Sequence, residues 1–186
     1  MPASHRRLRE HGLTLIELLL FVVVVGIALS AMLRVFTTAT LASADPMIRR
    51  QQLAIAESLL REVELMPFTW CDPTDANVET ATSASGCATL AESSGPEAGQ
   101  TRYGPTNYFN NVNDYAGFSM TGIRDAANTA VAGLSGYSAS VAVAAAALDT
   151  VASTDALRIT VTVTAPDNST LSLQGWRTRY APNSPD

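Results

Sequence analysis

The sequence predicts an α+β fold in which one long amino-terminal helix packs on a small antiparallel β-sheet. Two observations predict the helix: an almost uncharged apolar run at residues 13–33, and an amphipathic stretch at 47–66 with apolar residues three and four apart. Alternating apolar and polar residues at 157–164, followed by a turn, predict the sheet. The length of 186 residues is that of one domain, or of one domain with an appendage.

The run from Leu13 to Leu33 is long enough to cross a bilayer. It has 21 residues and one charged residue, Glu17, and as a helix it would span about 31 Å. Three arginines lie in residues 1–12, whereas only Arg34 follows the run closely. The positive-inside rule therefore predicts a cytoplasmic amino terminus and export of everything after residue 34.

Glu17 is the informative residue of this run because a carboxylate in a spanning helix is costly, at roughly 2.5–3.5 kcal/mol on insertion scales. Such a residue is expected to have a partner and a purpose. The processing motif of type IV prepilins and type II secretion pseudopilins resembles the stretch Gly12-Leu13-Thr14-Leu15-Ile16-Glu17-Leu18-Leu19-Leu20.

This resemblance implies roles for three residues. Gly12 would end a leader of residues 1–12, removed by a prepilin peptidase at the cytoplasmic face of the inner membrane. Leu13 would become the mature amino terminus and be N-methylated. Glu17 would neutralise the terminal ammonium of a neighbouring subunit, because opposite charges that are each costly in lipid become tolerable when paired.

Two other interpretations of the amino-terminal segment stay open. A secretory signal peptide also has a basic stub and an apolar core, and Ala28-Leu29-Ser30-Ala31 is an acceptable cleavage site. A plain single-span anchor would remain uncut. Neither explains the charge at Glu17, and the mature amino terminus separates the three interpretations.

The helix is expected to span the membrane at 13–34 and to continue over 35–66, with an interruption at Asp45-Pro46. The sequence leaves open whether Pro46 kinks one helix or separates two. The face predicted to pack on the head carries Ile48, Leu53, Ala56, Leu59, Leu60 and Val63. The face predicted to be solvated carries Arg49, Arg50, Glu57, Arg61, Glu62 and Glu64.

Residues 67–186 are expected to form a globular head outside the cytoplasmic membrane. Within it, the polar and turn-rich residues 71–114 are predicted to be a long surface loop. Residues 115–180 are predicted to hold three or four antiparallel strands, at 137–143, 157–164, 170–180 and, more weakly, 115–121. A change of apolar phase after Gly175 predicts a bulge in the last strand.

Cys71 and Cys87 are the two cysteines of the chain. An exported chain meets an oxidising compartment, so an intrachain disulfide is predicted, with free thiols as the alternative. The bridge would close a loop of about 15 residues and add roughly 3 kcal/mol in the chain-entropy model.

Few residues suit catalysis or metal binding. Both histidines, His5 and His11, lie in the leader and the chain has no lysine, so a nucleophile of the mature chain would lack an activating base. We therefore expect no enzymatic activity and no cofactor. Residues 70–77 contain oxygen ligands that Ca²⁺ prefers, but their spacing is not that of an EF-hand and they are ordinary turn formers, so no metal site is predicted.

The charge distribution argues against nucleic-acid binding. Residues 1–12 carry three arginines and one acid, which leaves nine arginines and 16 acids, a net charge of −7, for the rest of the chain. Phosphate contacts require clustered cations. An acidic head therefore disfavours DNA as a partner.

A second resemblance concerns the middle of the chain. Minor pilin-like proteins of the MshD type, associated with mannose-sensitive haemagglutinin pili, are similar at Ala56-Glu57-Ser58-Leu59-Leu60-Arg61-Glu62-Val63 and Met66-Pro67-Phe68-Thr69-Trp70-Cys71-Asp72-Pro73. This implies a subunit that enters or primes a type IV pilus, with a periplasmic head before assembly and other major and minor pilins as partners. A type II secretion pseudopilin and a pilus-tip adhesion module are the alternatives.

Overall fold

The long amino-terminal helix predicted from the sequence is present. A computed structural model describes residues 14–185, and for residues 37–45 it describes the backbone alone. Helix α1 runs from Leu15 to Leu65 and includes Pro46, so the alternative of two separate helices is wrong. The chain divides into two compact units, one up to Met47 and one from Ile48 onward.

The first unit presents an apolar helical surface. Fifteen large apolar side chains between Leu15 and Phe36 are each more than half exposed. This segment of 22 residues is long and apolar enough to cross a membrane. Exposed apolar surface of this extent is unfavourable in water.

The second unit contains a four-stranded antiparallel sheet, which confirms the predicted α+β class. The strands are β1 Ser119–Thr121, β2 Ser138–Ala145, β3 Ala156–Thr164 and β4 Thr170–Thr178. They lie side by side in the order β1-β2-β3-β4. Each strand therefore pairs with its neighbour in the sequence.

The carboxyl-terminal part of α1 packs on one face of this sheet. The inward residues of β3 are Leu157, Ile159, Val161 and Val163, all buried, and they alternate with threonines and an arginine as period two requires. Val161 lies between Val141 of β2 and Leu173 of β4. Ile55, Leu59 and Val63 of α1 complete this core.

The inward face of α1 includes Gln52 and Ile55, which the predicted face lacked, and excludes Leu53. Leu53 is 44% exposed, whereas Gln52 is buried at 1%. The Gln52 amide donates hydrogen bonds to the carbonyl oxygens of Ser169, at 2.8 Å, and Val163, at 3.4 Å. A polar residue therefore replaces the expected leucine because the end of β3 and the turn after it present carbonyl groups that need a donor.

Residues 71–114 are irregular, as predicted, but the expectation that they form only a surface loop is wrong. They contain a short 3₁₀ turn at Ala84–Gly86. A second 3₁₀ turn, Val112–Tyr115, begins within this segment and ends one residue after it. Phe109 and Val112 belong to the main core. Cys71, Val78 and Ala81 form a second, smaller core of their own.

The bulge predicted at Gly175 is absent. The register of β3 and β4 is continuous there, with Ile159 opposite Gly175 and Arg158 opposite Trp176. A Cβ atom at position 175 would lie 2.0 Å from Oε1 of Glu64 and 3.0 Å from Cδ1 of Leu60. The glycine is therefore explained by the close approach of α1 to β4, and not by an extra residue in the strand.

We predict that Gly175→Val lowers the free energy of unfolding of the head by about 1–3 kcal/mol, because the added atoms overlap with α1. Chemical unfolding of the detergent-solubilised chain, followed by fluorescence of Trp70 and Trp176, measures this change. The matched control is Gln174→Val on the exposed side of the same strand, for which we expect a change within about 0.5 kcal/mol. Equal effects of both substitutions would contradict the explanation.

Candidate functional site

The amino-terminal site begins at the first turn of α1. The amide of Glu17 donates to the carbonyl oxygen of Thr14 at 3.1 Å and to its hydroxyl oxygen at 3.4 Å. Thr14 thus caps the helix, and Glu17 occupies the third helical position. The sequence signal for this cap, threonine followed three residues later by glutamate, is present but was not used in the prediction.

Glu17 is exposed among leucines and isoleucine in this first turn. Among residues 14–185, no side chain or amide donates to its carboxylate. The positive end of the helix dipole favours a negative charge at this position. Gly12 and Leu13, the other two residues predicted for this site, lie outside the described residues.

The predicted disulfide is present. The Sγ atoms of Cys71 and Cys87 are 2.03 Å apart and their Cα atoms 5.5 Å apart. Cys71 is completely buried beside Val78 and Ala81. The bridge joins residue 71, at the start of the 71–114 segment, to residue 87, so residues 72–86 form a closed loop.

Asp75 ties the same turn together without a covalent bond. Its buried carboxylate accepts four amide hydrogens, from Asn77, Ala88, Thr89 and Leu90, at 2.8–2.9 Å. The amides of residue 88 and its neighbours hold the pKa of Asp75 well below its usual value. Both oxygens of Asp75 are thus occupied by the backbone, and it is not available to a ligand.

A cluster of three carboxylates lies next to the disulfide. One oxygen from each of Asp72, Glu92 and Glu97 lies within 4.8 Å of one oxygen of each of the others. Asp72 follows Cys71, and Glu92 is held across from it, since its amide donates to the Trp70 carbonyl at 3.0 Å. The fold therefore brings Asp72 next to two acids that lie 20 or more residues later in the sequence.

A fourth carboxylate, Asp114 of the 3₁₀ turn at 112–115, lies near this cluster and interacts electrostatically with Glu92 and Glu97. It is fully buried, and its Oδ2 accepts the amides of Asn110, at 2.7 Å, and Asn111, at 2.9 Å. Its Oδ1 has no hydrogen-bond partner in the described part of the chain. The same holds for Oδ1 of Asn110 and for both carboxylate oxygens of Glu92 and Glu97.

The electrostatics of the cluster are unfavourable to ionised carboxylates. Burial raises the pKa of Glu92 to about 9, and the negative charges of Asp114, Glu97 and Asp72 add to this effect. Burial also raises the pKa of Asp114 to about 7, although its two amide hydrogen bonds act in the opposite direction. Four carboxyl groups therefore lie near one another with little positive charge to neutralise them.

Arg179 supplies the positive charge that faces Glu92, but it is shared with other groups. Its guanidinium stacks on the rings of Phe68, at 3.6 Å, and Trp70, at 3.8 Å. Its Nε atom is 3.6 Å from Oδ1 of Asp155. One arginine that is also paired with Asp155 leaves the four-carboxylate cluster with an excess of negative charge.

A second buried polar group joins α1 to the loop segment. Arg102 donates two hydrogen bonds of 2.6 Å to the two oxygens of Glu62, and the hydroxyl of Tyr115 donates to the same carboxylate at 2.7 Å. Burial alone would lower the pKa of Arg102, but the pairing with Glu62 outweighs it and the pKa is raised. Glu62 was predicted to be solvated, and this prediction is wrong because Arg102 covers it.

No protein-family model, curated protein or solved structure matches the chain. Of the residues predicted for function, Cys71 and Cys87 come together, and Glu17 stands alone at the start of α1.

We predict that the cluster makes the head less stable as the pH rises. Glu92 and Asp114 keep their protons in the folded state at pH values where the unfolded chain has lost them, so the folding contribution of each falls as the pH rises from its unfolded toward its folded pKa. Between about pH 5 and about pH 8 in EDTA, wild type should lose at least about 1 kcal/mol relative to Glu92→Gln.

Urea unfolding of the full chain in detergent at each pH measures this difference. The matched control is Glu79→Gln, which removes an exposed acid of the same loop segment and should follow the wild-type pH profile. Parallel profiles of wild type and Glu92→Gln would contradict the prediction.

Proposed function

We propose that the chain is a minor pilin-like structural subunit, cleaved between Gly12 and Leu13 by a prepilin peptidase and incorporated into, or priming, a type IV pilus of the mannose-sensitive haemagglutinin kind. The observation that carries the proposal is Glu17, the single charge in the exposed apolar helix 15–33. It lies four residues after Leu13, the spacing that the processing motif requires.

The exposed surface of α1 supports assembly into a filament. Before assembly, the segment 15–36 would lie in the inner membrane with the head in the periplasm. In the filament, the apolar segments of neighbouring subunits would cover one another. Both environments remove the same apolar surface from water, so the helix can pass from one to the other.

Glu17 would determine the axial position at which a new subunit joins the filament. Cleavage before Leu13 would create a new ammonium group four residues before the carboxylate in the sequence. In an apolar surrounding, a neighbouring subunit gains most when its own ammonium lies against this carboxylate, since an unpaired charge there is costly. Pairing would therefore set the axial position of one subunit against the next.

The cap formed by Thr14 offers a rival, purely local role for Glu17. A glutamate in the third helical position stabilises a helix start through the dipole and the capping box. If helix capping were the whole role of Glu17, substitution of Thr14 and substitution of Glu17 would have similar effects. Variants of the two residues therefore separate a local role from a role between subunits.

We predict that the mature chain begins with N-methylated Leu13. Mass spectrometry of the amino-terminal peptide from membranes of cells with and without prepilin peptidase measures this. A start at Ala31 would identify a signal peptide, and an uncut chain in both strains would identify a plain anchor. Either result would contradict the proposed function.

We predict that Glu17→Gln is cleaved normally but enters filaments at least about tenfold less efficiently than wild type, because the docking charge is lost. Thr14→Ala, the matched control, should retain incorporation within about twofold, since one helix cap contributes little to a helix already held by lipid. Immunoblots of sheared filaments, normalised to the membrane fraction, measure both.

Equal losses for the two variants would assign Glu17 to helix capping. Normal incorporation of Glu17→Gln would remove the charge-pairing role. Cleavage at Leu13 together with absence from sheared pili and loss of protein secretion in a deletion strain would place the chain among type II secretion pseudopilins, which share the motif.

A further inference from the structure

The carboxylate cluster of the head has many acceptors and few donors. Six oxygen atoms of Glu92, Glu97, Asn110 and Asp114 are buried without a hydrogen-bond partner in the part of the chain that the structure describes. Buried polar atoms are normally paired, and buried charges are normally neutralised by a counter-charge or a metal ion. Unpaired oxygens of Glu92 and Glu97 lie beside Asp72, and an unpaired Oδ1 belongs to Asp114, which interacts with both glutamates, so the cluster favours a positively charged ligand.

We propose that the head binds one Ca²⁺ ion through the carboxylates of Asp72, Glu92, Glu97 and Asp114, with Oδ1 of Asn110 as a further ligand. Asp114 makes the strongest case, because it is fully buried and its Oδ1 is unpaired beside Glu92 and Glu97. Its other oxygen is fixed by two backbone amides, which hold the carboxylate in place.

The spacing of the cluster fits this ion. The nearest oxygens of Asp72, Glu92 and Glu97 are within 4.8 Å of one another. Two ligands on opposite sides of Ca²⁺, with bonds of about 2.4 Å, are about 4.8 Å apart.

The chemistry of the ligands also selects a hard cation. All of the candidate ligand atoms are oxygens, which suit Ca²⁺, Mg²⁺ or Mn²⁺. Zn²⁺ and copper prefer imidazole or thiolate, and both cysteines are joined in the disulfide. Four carboxylates give the high negative charge that strengthens Ca²⁺ binding.

Several contacts hold the ligands in position before an ion arrives. Oδ1 of Asp72 accepts the amide of Thr74 at 2.7 Å, and its Oδ2 accepts the side-chain amides of Gln100, at 3.4 Å, and Asn110, at 3.3 Å. Gln100 in turn accepts the amide of Glu97 at 3.3 Å. A preformed site loses less conformational entropy when it binds its ligand.

An ion has a route to the site. A cavity of about 200 Å³ is lined by Asp72, Glu97 and Asn110, together with Gln100 and Tyr108. Tyr108 is 56% exposed at this position. The cluster therefore borders a cavity with an exposed side chain in its wall.

Protons are the competing way to neutralise the cluster. Glu97 and Asp114 are close enough to share one proton between their carboxyl groups, and Arg179 offsets part of the charge of Glu92. In that case the head would need no metal, and added Ca²⁺ would have no effect at neutral pH. The two explanations thus give opposite results.

The test uses the full chain in detergent, treated with EDTA and then returned to chelator-free buffer at neutral pH. Tb³⁺ replaces Ca²⁺ as a luminescent probe, excited through Trp70, two residues from Asp72. We expect Tb³⁺ luminescence that Ca²⁺ displaces, and an unfolding midpoint about 5 °C higher in about 1 mM Ca²⁺ than in EDTA.

Glu97→Gln is the test variant, because its side chain accepts no hydrogen bond from the described residues and the substitution keeps its shape. Its apparent affinity for Ca²⁺ should fall at least about tenfold, while its midpoint in EDTA should equal or exceed that of wild type. The matched control, Glu79→Gln, should respond to Ca²⁺ like wild type.

An unfolding midpoint of wild type that does not change up to about 10 mM Ca²⁺, ten times the highest dissociation constant of known extracellular sites, would overturn the proposal. So would identical responses of Glu97→Gln and Glu79→Gln. The wild-type titration gives a decisive result even if the test variant fails to fold.

Discussion

The packing of residues 48–65 of α1 on one face of the sheet is the constraint on which the rest of the head depends. Ile55, Leu59 and Val63 cover the inward side chains of β3, and Gly175 permits the same helix to approach β4. Removal of this apolar surface from water is the main source of stability in a head of this size. The helix thereby forms both the wall of the core and the connection to the apolar segment.

The irregular segment 71–114 is ordered by contacts to this helix and to itself. Arg102 binds Glu62 of α1, and Phe109 and Val112 enter the main core. The disulfide and Asp75 fix the first turn of the segment. Asp72 and Glu92 thus reach the same place as Asp114, which shows how a segment without strands positions a polar cluster accurately.

The regular elements could be predicted because their periodicity is strong. The alternation from Leu157 to Val163 fixes which side chains of the strand face the core. The apolar run before Phe36 favours a helix, because a helix satisfies its own backbone hydrogen bonds in an apolar environment. Pairing of Cys71 with Cys87 followed from their being the two cysteines of a chain that the sequence predicts to be exported.

The predictions that were wrong, and the features that were missed, depend on contacts between residues that are far apart in the sequence. Gln52 is buried because of carbonyls more than 100 positions away, and Gly175 lies against the side chains of Glu64 and Leu60, which no local pattern reveals. Glu92, Glu97 and Asp114 look like ordinary loop acids in the sequence. Their grouping depends on the three-dimensional course of the loop, so spacing alone carried no signal for it.

The hydrogen bonds of Asp75 have a consequence for how the disulfide forms. By holding the amides of Ala88, Thr89 and Leu90, this carboxylate draws the neighbouring Cys87 back toward the segment that contains Cys71. Two thiols held near each other react as if at a high local concentration. Because the chain has two cysteines, this aspartate, four residues from Cys71, bears on how readily the single possible bridge closes, and not on which bridge forms.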